Sequence, residues 1–161
     1  MANQNRVSNI TIEGARIIFR NFAGKAGKFN AEGKRSFSLI IDNDVAEDLK
    51  SVGWNIKYLN PRDPDDPPQA YLQVAVAYDN FPPKVWLISG KKKTELTEET
   101  VSVLDYAEIE NVDIIVRPYT WEVNGKCGIK AYLKNMYVTI VENEFEKKYR
   151  QLEEDDDDLP F

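Results

Sequence analysis

Asn124-Gly125 lies between two stretches, 111–123 and 126–141, in which apolar and polar side chains alternate. Asn-Gly suits a two-residue turn because both residues tolerate positive φ, and such a turn joins two antiparallel strands directly. The turn also fixes which residues face each other. It sets Trp121 opposite Gly128, Tyr119 opposite Lys130, Arg117 opposite Tyr132 and Ile115 opposite Lys134. Successive side chains of a strand point to opposite faces, so one face of this hairpin gathers Val112, Ile114, Val116, Ile129, Ala131 and Leu133 as core. The other face then carries Arg117, Tyr119, Trp121, Lys130, Tyr132 and Lys134.

The rest of the chain also reads as short strands. Residues 10–22 are rich in β-branched side chains, with Gly14 as a bend or bulge point, and 36–41 form a second strand. A helix is expected over 44–52. Asp44 would cap it, Glu47 would complete a capping box, Gly53 would stop it, and Val45, Leu49 and Val52 would form its apolar face. Trp54, Ile56 and Tyr58 alternate as a short strand, and the proline- and aspartate-rich stretch 60–68 excludes regular structure. Strands resume at 71–78 and 84–89. A polar connection follows from Gly90, with a helical turn within 94–105, and a charged helix is expected to run from after Asn143 to Leu152. The pattern predicts a mainly β protein: an OB-fold-like five-stranded barrel with extensions, one internal helix and a short C-terminal helix. Residues 1–152 would form this domain and 153–161 a disordered acidic tail.

Composition removes several chemistries. With no histidine there is no imidazole base, no Ser-His or Cys-His pair and no His-ligated metal site. One cysteine, Cys127, permits neither an internal disulfide nor a Cys-cluster zinc site and suits a reducing compartment. No apolar run approaches the roughly 18 residues of a membrane span, and the N-terminus lacks the apolar core of a signal peptide. Neither glycine-rich stretch has phosphate-loop spacing. A non-enzymatic, cytoplasmic protein without cofactor or metal is expected.

Aromatic rings interleaved with cations on an outward sheet face are what unpaired bases and their phosphates require. The same side chains could instead fill cross-strand pairs, with lysine stems covering the rings. A second basic region supports the first reading. From residue 16 to 35 stand Arg16, Arg20, Lys25, Lys28, Lys34 and Arg35 against a single acid, Glu32. Phe29 lies in that loop, and Trp54 and Trp86 are further candidate stacking rings. The net charge of −6 argues against a polyanionic partner only until its distribution is seen. Residues 153–158 are six consecutive acids, and without them acidic and basic residues are equal at 21 each.

The chain ends Asp155-Asp156-Asp157-Asp158-Leu159-Pro160-Phe161. Acid runs are usually solubilising. This one exposes a ring beside a free carboxylate, with a proline limiting the unbound conformations, which suits capture by a protein pocket. It resembles the acidic tip of bacterial single-stranded-DNA-binding proteins, with Leu159 in place of the usual isoleucine. The body is similar to the single-stranded-DNA-binding proteins of tailed bacteriophages in Ile17-Ile18-Phe19-Arg20-Asn21-Phe22, in Gly27-Lys28-Phe29-Asn30, and in 121–137 around the hairpin turn. This resemblance implies an OB-fold that coats single-stranded DNA in replication, recombination and repair, in the host cytoplasm if phage-encoded. It also implies a tail that recruits replication, repair or strand-annealing proteins. The long linker usual before the bacterial tip is missing, so a monomer or homodimer is expected rather than the bacterial tetramer. Stacking would fall to Tyr119, Trp121, Tyr132 and Phe29, and phosphate contact to Arg16, Arg20, Lys28, Arg35, Arg117, Lys130 and Lys134. The competing reading is a phage structural or adaptor β-domain that docks a protein through its tail without binding DNA.

Overall fold

The computed structural model describes residues 7–28, 30–79 and 81–142. The expected C-terminal helix and the acidic tail lie outside these residues, as does Phe29.

The predicted hairpin, built from the eighth and ninth strands of the chain, dominates the architecture. Strands β8 (Ile109–Val123) and β9 (Lys126–Ile140) flank the turn, where Asn124 and Gly125 have φ of 52° and 79°. The expected pairs Trp121–Gly128, Tyr119–Lys130 and Arg117–Tyr132 are present, and all six predicted core residues are at most 5% exposed. The expected Ile115–Lys134 pair is not formed. Between Val116–Leu133 and Ile115–Asn135 the ladder slips by one residue, leaving Lys134 as the extra residue of a β-bulge. Beyond the slip, the buried residues of β9 change from Ile129, Ala131 and Leu133 to Met136 and Val138.

The stretch 10–22 is two strands rather than one. β1 (Ile10–Ile12) pairs with β8 and β2 (Ile17–Asn21) pairs with β3 (Arg35–Ile40). Gly14, at φ 65°, turns the chain between them. The Ala15 N–H then donates to Val112 O at 2.7 Å, and the Ile40 N–H to Arg16 O at 2.9 Å. The sheet order is β1-β8-β9-β5-β3-β2, with β5 at Gln69–Val76, so its two ends fall on one piece of chain. The sheet therefore curls into five staves, as expected of an OB-like barrel, and leaves a seam beside β1. Three strands extend it: β4 (Ile56–Leu59) on β5, β6 (Lys84–Ser89) on β9, and β7 (Lys92–Leu96) on β6. The pairings β5–β9 and β6–β9 are parallel and the rest are antiparallel.

Two local expectations change. Helix α1 spans Asn43–Val52, and its cap is Asp42, whose side chain accepts from the Asp44 N–H at 3.1 Å. Its inward residues are Ala46 and Leu49, while Val45 and Val52 stay exposed. Gly53 stops it as expected, at φ 122°, donating to Leu49 O and Lys50 O. The polar connection after Gly90 is in fact strand β7. The predicted helical turn is a 3-10 helix at Val101–Asp105. No described helix is long and apolar enough to cross a membrane. The core fills the curl, with Phe22 and Phe37 stacked at 5.3 Å between ring centres and wholly shielded from water.

Candidate nucleic-acid interface

Three strands set the floor of a groove. In register across β3, β5 and β9, Ser36 lies beside Ala75 and Ala75 beside Tyr132. Phe37, Val74 and Ala131, the neighbours of these residues, point into the core. Small outward side chains on β3 and β5 thus open a groove of about 940 Å³. Lys34, Arg35 and Tyr78 line it from one side, and Trp121, Lys130 and Tyr132 from the other.

The hairpin wall is an aromatic–cation array. Tyr119 meets Tyr132 edge-to-face at 6.0 Å. The Arg117 guanidinium lies 4.7 Å from the Tyr132 ring centre and 5.4 Å from that of Phe81, and Lys130 Nζ lies 5.1 Å from Tyr132. Trp121 lies flat over Gly128: a Cβ there would come within 2.8 Å of its ring, so only glycine admits this pose. The ring is nonetheless 39% exposed, with Tyr119 at 54% and Phe81 at 75%. Rings held in place by the hairpin yet partly exposed are pre-positioned platforms for flat ligands.

The opposite wall holds Arg35, 5.7 Å from the Tyr78 ring centre and 3.3 Å from the Glu98 carboxylate. Burial raises the Tyr78 hydroxyl pKa, and the nearby Arg35 charge partly opposes the rise. Arg35 Nε, Arg117 Nε and Tyr78 Oη are shielded from solvent and accept or donate no hydrogen bond within the described residues. A shielded polar atom left without a partner costs about 1–3 kcal/mol, so these three atoms are open to a hydrogen-bonding partner from outside the chain.

The predicted site residues are thus divided. Arg35, Arg117, Tyr119, Trp121, Lys130 and Tyr132 share the groove and its hairpin wall, with exposed Lys134 on the adjoining bulge. Lys28 is exposed in the basic loop. Arg16 lines the seam between β1 and α1 instead. Arg20 serves the fold, because its Nη1 donates to Leu104 O and Ala107 O at 2.8 Å each and so ties β2 to the 3-10 helix. Lys25 donates to the Tyr106 hydroxyl, and chiefly through that bond its pKa is raised. Trp54 is only 3% exposed and lies at the base of the groove, so its ring cannot serve as a stacking surface. Trp86 stands on β6 outside the groove. Tyr78, Phe81 and Gln73 are contributions the sequence did not reveal, since each reaches the site through long-range pairing of β5 or a loop rather than by local pattern. Among the described residues, no three acidic, cysteine or histidine side chains gather to hold a metal ion.

No curated protein matches the chain. Among solved structures it is similar to the single-stranded DNA-binding protein from bacteriophage Enc34 in complex with ssDNA, with a TM-score of 0.53 and 15% identity over 85% of this chain and 89% of that one. It is likewise similar to a C-terminal truncation of the Enc34 protein (TM-score 0.52, 15% identity, 84% of this chain and 87% of that one). At such identity the likeness is one of fold. A family model described as "Putative phage ssDNA-binding domain" matches residues 1–160. The chain belongs to the phage ssDNA-binding domain family.

Proposed function

We propose that this protein binds single-stranded DNA without sequence preference through the groove across β3, β5 and β9, and so protects exposed strands during phage replication and recombination. The observation that carries the reading is the hairpin wall. Tyr119 and Trp121 are partly exposed rings, half-buried Tyr132 packs edge-to-face with Tyr119, and Arg117 and Lys130 lie against the Tyr132 ring. Base stacking on such rings is indifferent to sequence because every base has a π-face, and the cations meet the phosphates. Arg35 and Lys34 supply charge from the opposite wall, and Lys28 and Lys134 extend it. Phe29 would add a further ring from the basic loop. The protein would act in the host cytoplasm as a monomer or homodimer. Its terminal segment Asp155-Asp156-Asp157-Asp158-Leu159-Pro160-Phe161 would recruit replication, repair or strand-annealing proteins. The family and the likeness to a protein solved with ssDNA support the choice of ligand.

The test is a fluorescence titration with oligothymidine at low salt, compared with duplex and RNA oligonucleotides. Saturable quenching with the single strand is expected, and its complete absence would sink the reading.

A further inference from the structure

The aromatic–cation surface does not end at the groove. Tyr132 and Tyr137 are five residues apart, and on a regular strand they would point to opposite faces. The bulge at Lys134 cancels that. Tyr132 pairs with Arg117 and Tyr137 with Asp113, two residues of β8 with the same alternation, so both rings lie on the outward face. Beside Tyr137, in parallel register on β6, stands Trp86, and Lys93 of β7 places its Nζ 4.4 Å from the Trp86 ring centre and 5.3 Å from that of Tyr137. Exposed Lys84 is in register with Asn135, next to Lys134. Two acids face the same area. Glu95 pairs with Trp86, whereas Asp113 is already engaged by the Gly14 N–H at 3.0 Å and the Asn111 side-chain amide at 3.2 Å. Lys84, Lys93 and Lys134 thus stand against Glu95 and Asp113, a small excess of cations. Arg117 and Asp113, the β8 partners of Tyr132 and Tyr137, are four residues apart, so the second ring pair lies roughly 14 Å from Tyr132.

We propose that Trp86, Tyr137 and Lys93 form a second stacking subsite that takes the same DNA strand after it leaves the groove past Tyr132. This rests on the reading of the groove as a single-strand site. Continuity argues for that occupant, because Tyr132 lines the groove, Tyr132 and Tyr137 share one face of the hairpin, and exposed Lys134 lies between them along β9. The lengthened path stays within the roughly 4–16 nucleotides that one OB-fold occludes.

The experiment is a length series of oligothymidines titrated into the full chain, its Trp86→Ala and Lys93→Glu variants, and a Trp121→Phe variant. Short strands that fill only the groove should bind both subsite variants as they bind the parent. Longer strands should lose about 5- to 160-fold in Trp86→Ala, one stacked base's contribution, and should also bind Lys93→Glu more weakly than the parent. In Trp121→Phe, long but not short strands should quench the remaining emission, since Trp54 is buried and Trp86 is the other indole. Lys93→Glu alters only an exposed side chain, so its result stands even if Trp86→Ala loosens the fold. Equal losses for short and long strands, or no loss for either, would overturn the subsite while leaving the groove intact. If the parent binds no oligothymidine at all, both readings fall.

Discussion

Gly128 and Trp121 show how one pair of residues determines a surface. The indole needs a neighbour without a Cβ, and the turn register puts a glycine there. Gly128→Ala is expected to lift the ring, shift its emission and weaken single-strand binding, with the hairpin still formed. Trp121→Ala should weaken binding by about 1–3 kcal/mol while the slope of log K against log salt stays the same, since a ring carries no charge. Titrations at several salt concentrations separate the two quantities. Tyr78 gives a pH signature. Its pKa is raised from the ordinary value of 10.0, chiefly by burial, so its contribution to stability is complete below that pH. That contribution is lost as pH rises through the folded value, because the unfolded chain ionises first. Thermal melts from pH 9 upward should therefore show the parent losing stability more steeply than Tyr78→Phe.

At the level of elements, the bulge in β9 separates what the sequence shows from what it hides. Alternation and Asn124-Gly125 reveal both long strands, their faces and three of the four expected cross-strand pairs, because all of these are local properties. The slip at Lys134 is invisible from the turn outward. It shows only as the change of buried parity from Leu133 to Met136, which the neighbouring Asn135 does not advertise. Lys134→Ala should change stability by less than about 0.5 kcal/mol, as an exposed substitution. Deleting Lys134 should leave the hairpin folded, because Val116–Leu133 and Ile115–Asn135 then become successive pairs of a regular ladder and Met136 and Val138 keep their inward face; denaturant melts that show loss of the fold would contradict this. β7 was illegible for another reason. Lys-Lys-Thr-Glu-Leu is an edge strand with four exposed residues and one buried, the composition by which proteins keep edges from pairing further. Arg20 was misleading because a guanidinium donating to two carbonyls is indistinguishable in sequence from one awaiting a phosphate.

For the whole molecule, charge is partitioned along the chain rather than spread over it. Equal numbers of acids and bases occupy the sequence outside 153–158, so the net charge of −6 belongs to that one block. If that block lies over the proposed groove as an anionic arm, it would compete with phosphate at short range and be screened within about 10 Å at 0.1 M salt. Deleting 153–161 should therefore tighten single-strand binding at low salt, with the difference vanishing as salt rises. Equal affinities at low salt would show that the arm leaves the groove alone. The curl of the sheet has a consequence of a different kind. Ile10 finds its partner at Val116, and the first strand of the chain therefore waits for almost the last. Pairings so distant in sequence are slow to form, because loop closure must precede the contacts that reward it. On the ribosome, β1 leaves the exit tunnel long before β8 has been made, and its edge stays open through most of translation. β1 thus precedes the other described strands in synthesis and enters the fold among the last.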